Sequence, residues 1–427
     1  MKINVLYKKF ILNFLFFAFI FVIFPVFIVK AYCCSNCANG VDANISTSSN
    51  NENSPVLLEK NEELRGVWFS FCEWKEFHNG KTESEWRETI NNSIVPNLKS
   101  LNVNNVFLHA VAHGDAFYSS EISPMAQEVT KQYGKVLPYS PFKVFVDILK
   151  ENGFKVHAWV NPLRVMTDAE FANISSSYLI KNWHNSANKS DFYMKDTLGR
   201  FWFNPANPAV IAHIKNVCSE IIDKHPNLDG VHFDDYFYPF DLEKIANYED
   251  KDLKYYEKVK PEIKLEDWRR KNITNLIKEV YSVCHSKNKI FGVSPTGNIK
   301  GNYDVMFFDQ DAIVQEGCLD YIMPQIYYGF ENQVLPFKNA VEIWKDIISK
   351  KPKDKKISFY VGLAAYKLGM PEDVHAGSGR YEWKNNEDVI KRQVEFLKGV
   401  KEVDGFVYCS YNSFFGAESR GLGLKNI

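Results

Sequence analysis

Cysteine is scarce in this sequence, at 8 of 427 residues, and three of the eight, Cys33, Cys34 and Cys37, crowd into one short stretch. The other five, Cys72, Cys218, Cys284, Cys318 and Cys409, are scattered. That pattern excludes a disulfide framework, and without a paired CxxC spacing it excludes a cysteine zinc site. An excess of charge is lacking as well: 51 Lys and Arg face 52 Asp and Glu, for a net charge of −1. A general nucleic-acid binder carries a clear basic excess, so no nucleic-acid partner is expected. No GxGxxG or Walker phosphate loop occurs, which leaves a doubly wound nucleotide-binding sheet unsupported, and no cofactor is expected. What is present is an ordinary globular mixture, 45 % hydrophobic and 24 % charged. Aromatics reach 15 %. Trp and Tyr in such number suit a carbohydrate-binding surface, although most aromatics serve a core.

The one long apolar run lies at residues 10–29, after Lys2, Lys8 and Lys9, and is broken only by Asn13 and Pro25. Basic residues followed by an apolar segment mark an export signal or a membrane anchor. Val29-Lys30-Ala31 offers a small-residue cleavage site before Tyr32, whereas Lys30-Ala31-Tyr32 fits poorly before a lipidated Cys33. Residues 1–31 are therefore expected to be a signal peptide or membrane anchor, residues 32–60, rich in Asn, Ser and Glu, a flexible tether, and residues 61–427 one folded domain. The expected location is secreted or membrane-tethered in the cell envelope, with membrane contact only through the N-terminal segment.

In the folded part, strand-like runs at 64–71, 104–110, 154–161, 228–235, 289–296, 319–327, 356–364 and 403–411 alternate with helical stretches at 84–100, 141–152, 207–224, 267–286, 310–317, 337–350 and 386–399. Strict alternation implies parallel βαβ pairing, and eight repeats predict an α/β fold, the (β/α)8 TIM barrel. Long loops are expected after the third and fourth strands, and a short or missing last helix, because only about 15 residues follow the last strand. Loops after strands form the C-terminal face of such a barrel, where active sites are built. Trp183, Trp202 and Phe203 in the first long loop either wall a groove or pack that loop onto the barrel.

Successive strand residues point to opposite faces. One consistent sorting places His109, His157, Trp159, Asn161, His232, Asp234, Ser294, Gln325, Tyr327 and Ser410 inside the barrel. Polar groups buried without partners are costly, so such a row implies either a polar packing network or a mouth lined for a hydroxyl-rich ligand. The number of strands contributing favours the second, a sugar. Asp234 closes the inward row of the fourth strand, and a carboxyl there protonates a glycosidic oxygen if burial or a neighbouring carboxylate such as Asp235 raises its pKa. Asp234 is thus expected to be central to catalysis, with Asp234→Asn abolishing turnover and sparing the fold. Glycoside hydrolysis normally uses a second carboxylate, about 5 Å away for retention and about 6.5–9.5 Å for inversion. Glu73, after the first strand, is the first candidate; Asp304, Glu331 and Glu418 also follow strands. The candidate catalytic set is Asp234, Asp235 and Glu73. The candidate sugar contacts are His109, His157, Trp159, Asn161, His232, Tyr236, Gln325, Tyr327 and Trp202.

Leu64-Arg65-Gly66-Val67-Trp68, Asn161-Pro162, Trp202-Phe203-Asn204-Pro205, the run from Asp229 to Pro239, Ser294-Pro295 and Pro324-Gln325-Ile326-Tyr327-Tyr328 together resemble the glycosyl hydrolase-like family 10 proteins of bacterial envelopes. The resemblance spans about Glu62 to Gly416 and implies a (β/α)8 glycosidase of cell-wall or related glycans. It places the family's acidic motif on Asp234 and Asp235 and its sixth-strand motif on Gln325 and Tyr327. Family members often read Tyr-Trp where this chain has Tyr327-Tyr328. Asp229 to Pro239 also looks like the fourth-strand motif of chitinase-type barrels, which carry a glutamic acid where Tyr236 stands, so their acid does not transfer. An N-acetylated substrate, such as the peptidoglycan backbone, remains the expectation.

Two alternatives stand beside this glycoside hydrolase. A metal-dependent polysaccharide deacetylase is suggested by Phe233-Asp234-Asp235 and the His109/His113 pair, but the motifs stand in the wrong order. A non-catalytic glycan-binding barrel is kept open by the unassigned second carboxylate. Arg65 and Arg164 offer charge for an anion, with structural pairing as the default for a lone arginine.

Overall fold

A computed structural model describes residues 62–417 and 419. The proposed signal or anchor (1–31), the tether (32–60) and Glu418 lie outside the described residues. The domain is a closed parallel barrel of eight strands: β1 (Leu64–Phe69), β2 (Asn105–Val111), β3 (Lys155–Val160), β7 (Gly230–Phe233), β8 (Ile290–Val293), β9 (Tyr321–Ile322), β10 (Ser358–Leu363) and β11 (Gly405–Tyr408). Each pairs with its sequence neighbour, and β11 returns to β1 through Leu64↔Gly405 to Val67↔Tyr408. The eight-strand barrel expected from the alternation is therefore observed. The remaining strands, β4 (Arg164–Thr167), β5 (Tyr193–Lys195) and β6 (Arg200–Phe203), form a separate antiparallel sheet in the loop after β3.

Local sequence explains the helices between strands. Ser140 caps the helix Pro141–Glu151 and Asn207 caps Pro208–Lys224, each with proline in the first turn, where its missing N–H costs nothing. Thr82 and Glu85 form a reciprocal capping box that starts a helical run extending to Ser100. The last helix is short, Tyr411–Phe415. Strand β9 covers two residues instead of the nine expected, because Pro324, and Pro295 on the neighbouring chain segment, have no N–H for a regular ladder. The antiparallel sheet was not anticipated. Its signal was present in Asp196-Thr197-Leu198-Gly199, a turn sequence with Gly199 at φ +85°.

The barrel interior is aromatic below and polar above. Leu64, Trp68, Phe107, Trp159, Ile290, Tyr321, Met323, Tyr360 and Val407 form one buried cluster. This bears out the inward faces assigned to β2, β3 and β9, and corrects that of β11. There the inward residue is Val407, with Cys409 packed against the same cluster, so the Tyr408 and Ser410 phase is shifted by one. The alternation rule failed at β11 because the interior beside it is apolar and polar side chains begin only past its end.

Glycine makes room for these rings. A Cβ at position 292 would stand 2.2 Å from the Tyr321 ring, far inside contact distance. We expect Gly292→Ala to lower stability by about 1–3 kcal/mol, the usual cost of an overpacked core. The urea midpoint should fall with the slope unchanged.

Candidate active site at the barrel mouth

The C-terminal end of β7 delivers two consecutive carboxylates. Asp234 is 2 % exposed. Its Oδ2 accepts the indole N–H of Trp159 at 3.1 Å and its Oδ1 accepts the backbone N–H of Tyr236 at 3.1 Å. Burial, then the neighbouring charge of Asp235, hold the Asp234 carboxyl well above its ordinary range. Asp235 is half-buried. Burial raises it to about 6, opposed by a hydrogen bond from Gln325. The Gln325 amide also donates to Ser294 O at 2.9 Å, which fixes its aim. The two acids thus differ in access: Asp234 is spent on internal donors, and Asp235 is the one near the surface.

Trp159 is itself held. The His109 ring stacks on it at 3.5 Å between centroids, 13° from parallel. Phe71 N–H donates to His109 Nδ1 at 3.0 Å, and Nε2 lies 3.0 Å from Asn161 Oδ1, so the network assigns the proton to Nε2. Asn161 then donates to Ala112 O. Burial pushes the His109 pKa down to about 3, so the ring is neutral. Both nitrogens being engaged, His109 has no lone pair for a metal, and among the described residues no three His, Cys, Asp or Glu side chains converge as ligands. His157 and His232 lie deeper. His232 Nδ1 is 3.1 Å from the Tyr321 hydroxyl, and that hydroxyl is 3.3 Å from His157 Nδ1. Trp68 Nε1 and Ser294 Oγ approach His232 Nε2 at 3.2 and 3.0 Å. Expected as sugar contacts, His109, His157, Asn161 and His232 are instead buried beneath the mouth, His109 bonded to Asn161 and both His157 and His232 to the Tyr321 hydroxyl. Sequence periodicity gives the face of a residue but not its depth.

Glu73, after β1, is fully buried. Its Oε2 accepts from Ser70 N at 2.9 Å and from Ser70 Oγ; its Oε1 accepts from Asn412 N at 2.9 Å and from Ser410 Oγ. Its acceptor positions are committed to tying the turn after β1 to the turn after β11, which leaves none for a reacting sugar. Asp304 pairs with Lys300 on the surface and Glu331 is exposed. Trp202 is buried, its indole donating to Asp196 at 2.9 Å, and it packs 6.0 Å from Tyr236. Trp183 stacks on Phe192 at 4.7 Å and Phe203 on Tyr193 at 5.5 Å. The aromatic side chains of the first long loop therefore pack it onto the barrel. Arg65 bonds to Asn102 O and pairs with Glu62 and Glu63. The Arg164 guanidinium lies 4.6 Å over the Tyr236 ring, covering one flank of the mouth. Tyr327, half-buried, meets Tyr366 edge-on at 5.7 Å. The second long loop is pinned by the buried pair Arg269–Asp252, at 2.8 and 2.5 Å.

A closed (β/α)8 barrel with consecutive acids at the end of its fourth barrel strand, ringed by amide and phenol groups, has the architecture of a glycoside hydrolase barrel. Residues 63–377 match the family described as Glycosyl hydrolase-like 10, and the chain belongs to that family. It is 26 % identical over 369 residues to Glycosyl hydrolase YngK of Bacillus subtilis, covering 80 % of this chain and 68 % of that one. It is 27 % identical over 377 residues to Glycosyl hydrolase DigH of Escherichia coli K12, covering 82 % and 83 %. Among solved structures, the glycoside hydrolase domain of PgaB (BpsB) from Bordetella bronchiseptica superposes with a TM-score of 0.48 at 13 % identity, covering 81 % and 93 %.

Replacing Trp159 by Phe keeps most of the packing and removes the donor to Asp234. That donor lowers the Asp234 pKa, so Trp159→Phe should raise it further and cost about 1–3 kcal/mol for the unpaired buried oxygen. Carboxyl NMR titration and denaturation check the two effects. Asp235 gives a pH signature as well. Its folded pKa lies above its unfolded value, so its favourable contribution is complete below about 3.8 and lost as pH rises through about 6. Asp235→Asn should therefore gain thermal stability relative to the wild type as pH rises from 4 to 8.

Proposed function

We propose that the chain is an exported hydrolase of O-glycosyl bonds that acts on a cell-envelope glycan, the N-acetylated backbone of peptidoglycan being the substrate that suits it best. The observation that carries this reading is the Asp234–Asp235 pair, one carboxyl fully buried and one half-buried, both raised. Family membership and the names of YngK and DigH support a hydrolase. Export rests on the N-terminal sequence alone.

In this reading the roles within the pair are divided. Asp234 has both oxygens bonded internally and is kept the neutral member of the pair by burial and by the charge of Asp235. Asp235 protonates the glycosidic oxygen as the C1–O bond breaks, a general-acid step made possible by its raised pKa. Gln325 aims the carboxyl. Among the described candidates, Glu73, Asp304 and Glu331 are all placed elsewhere, and this reading gives the nucleophile's part to the substrate's own 2-acetamido oxygen. Water then attacks C1 as the Asp235 carboxylate takes its proton, which opens the resulting ring, leaves a new reducing end and restores the acid. An N-acetylated sugar supplies that oxygen, which is the chemical reason for preferring such a glycan.

The test is incubation with purified peptidoglycan, intact and stripped of stem peptides, and mass spectrometry of the released fragments. The wild type should release saccharides with new reducing ends, and Asp235→Asn should lose about 10²–10⁴-fold in rate, the usual worth of a general acid. The rate should fall as pH rises past about 6. Asp234, raised well above its ordinary range, is neutral while Asp235 titrates, so Asp234→Asn should leave that limb where it is. Release by Asp235→Asn at the wild-type rate would refute the assignment. Binding to sacculi without release would mean a glycan-binding barrel.

A further inference from the structure

Gln325 and Tyr327 reach the mouth on a segment without a regular ladder. Beyond β9, Gly362 N donates to Pro324 O at 2.9 Å and Ile326 N to Gly362 O at 3.0 Å. Gln325 makes isolated bridges with Thr296 and Gly362, and Tyr327 N folds back on Gln325 O at 3.0 Å. The carbonyls that follow such a turn lie outside the sheet, and where water is excluded they need other donors. Side chains supply them here. Lys367 Nζ donates to Tyr327 O at 2.8 Å, and Gln393 Nε2 donates to Tyr328 O at 2.8 Å.

The two donors differ in kind. Gln393 is neutral and fully buried. Lys367 carries a charge, stands in the short helix Ala365–Lys367 after β10, and has a side chain only 13 % exposed. Its counter-charge is the buried Asp373, at 2.7 Å, and its ammonium lies 6.0 Å from the Trp383 ring centroid. Burying an ion pair costs desolvation that the attraction scarcely offsets, and Gln393 shows that a neutral amide can hold a carbonyl of this segment. What the ammonium adds is several donors on one atom, which bond Asp373 and Tyr327 O together. The same turn sends Tyr366 N to Cys409 O at 3.1 Å and sets the Tyr366 ring edge-on to Tyr327. One turn after β10 thus joins the segment after β9 to the end of β11.

We propose that Lys367 is a positioning residue for Asp235: by fixing the Tyr327 carbonyl it holds segment 324–328 in the setting that aims Gln325 at that carboxyl. Gln325 bonds to Asp235, and Tyr327 lies near enough to feel its charge. The other groups facing Asp235 are Asp234 and Tyr236 beside it in the chain, Arg164 after β3, Tyr366 after β10 and Cys409 after β11. The consequence for catalysis rests on the reading of Asp235 as the acid; the positioning itself does not.

The Gln325 bond lowers the Asp235 pKa against burial, so loosening it should raise that pKa. Lys367→Gln with Asp373→Asn removes one charge of each sign, and the shorter side chain at 367 draws the donor back from Tyr327 O. Carboxyl NMR titration of the full chain should then show Asp235 rising from about 6 by about one pH unit. Asp373→Asn alone leaves Lys367 on Tyr327 O and should move it little. In the peptidoglycan assay the falling limb of the double variant should move up by the same amount. An unchanged Asp235 titration in the double variant overturns the proposal, and so does an equal rise in Asp373→Asn alone. Should the double variant not fold, Lys367→Met with Asp373→Leu replaces the ion pair by an apolar one and is read in the same way. Failure of both to fold would make Lys367 a structural tie only and overturn the proposal. The titration contains no glycan, so its failure leaves the proposed hydrolase untouched. A shift in the titration beside a wild type that releases no saccharide would refute the hydrolase and keep the positioning.

Discussion

The Tyr321 hydroxyl stands between two histidines, and much of the barrel depends on that arrangement. His157 from β3, Tyr321 from β9 and His232 from β7 form a hydrogen-bonded chain across the interior, completed by Trp68 of β1 and Ser294 beyond β8. Five strands are thereby held in one rotational setting by directional bonds in a dry core, where an unmade bond costs more than at the surface. The rings fit only because Gly66, Gly292 and Gly362 stand opposite Phe107, Tyr321 and Trp68. Burial keeps His232 far below and His157 at about 4, so both are neutral and serve as fixed donors and acceptors.

The carboxylate pair is built on this platform. Trp159 belongs to the same buried cluster and passes its indole N–H up to Asp234, while His109 presses on its face. Asp234 is therefore positioned by the core, and the charge of its neighbour Asp235 adds to burial in raising it. This arrangement turns two chemically identical side chains into an inner and an outer acid, a difference of environment alone. The latch at Glu73 has a related role at the other side of the mouth. It joins the turns that begin and end the barrel, where only the short helix Tyr411–Phe415 follows the last strand.

The loops divide their work by composition. The long loop after β3 spends its aromatic residues on its own three-stranded sheet and on packing, with Trp202 fixed by Asp196. The loop after β7 is secured by the buried Arg269–Asp252 pair. The segment after β2 is buried through Phe117, Tyr118, Met125 and Val129 and tied to Glu220 by Tyr118, Ser120 and Glu121, while Asp115 Oδ2 and Glu128 Oε2 have no hydrogen-bond partner.

The sequence alone determined the architecture and the strand end at which the acidic pair stands. Strand and helix alternate with periods readable from side-chain type, eight repeats close a parallel barrel, and the acidic run Asp229–Pro239 falls at a strand end, where barrels carry their sites. Period-2 alternation also identified which face of β3 and β7 turns inward, because local stereochemistry fixes it. It misplaced β11, where the inward residue is apolar and the pattern carries no contrast. Only the tertiary structure decided depth and partnership. His109, His157, Asn161 and His232 looked like mouth residues until the barrel placed them under it, and Glu73 looked like a second catalytic acid until Ser70, Ser410 and Asn412 were seen to occupy it. Such facts join residues up to 339 positions apart, and whether a carboxyl is free, shared or locked depends on what the fold brings to its oxygens, which no local pattern encodes.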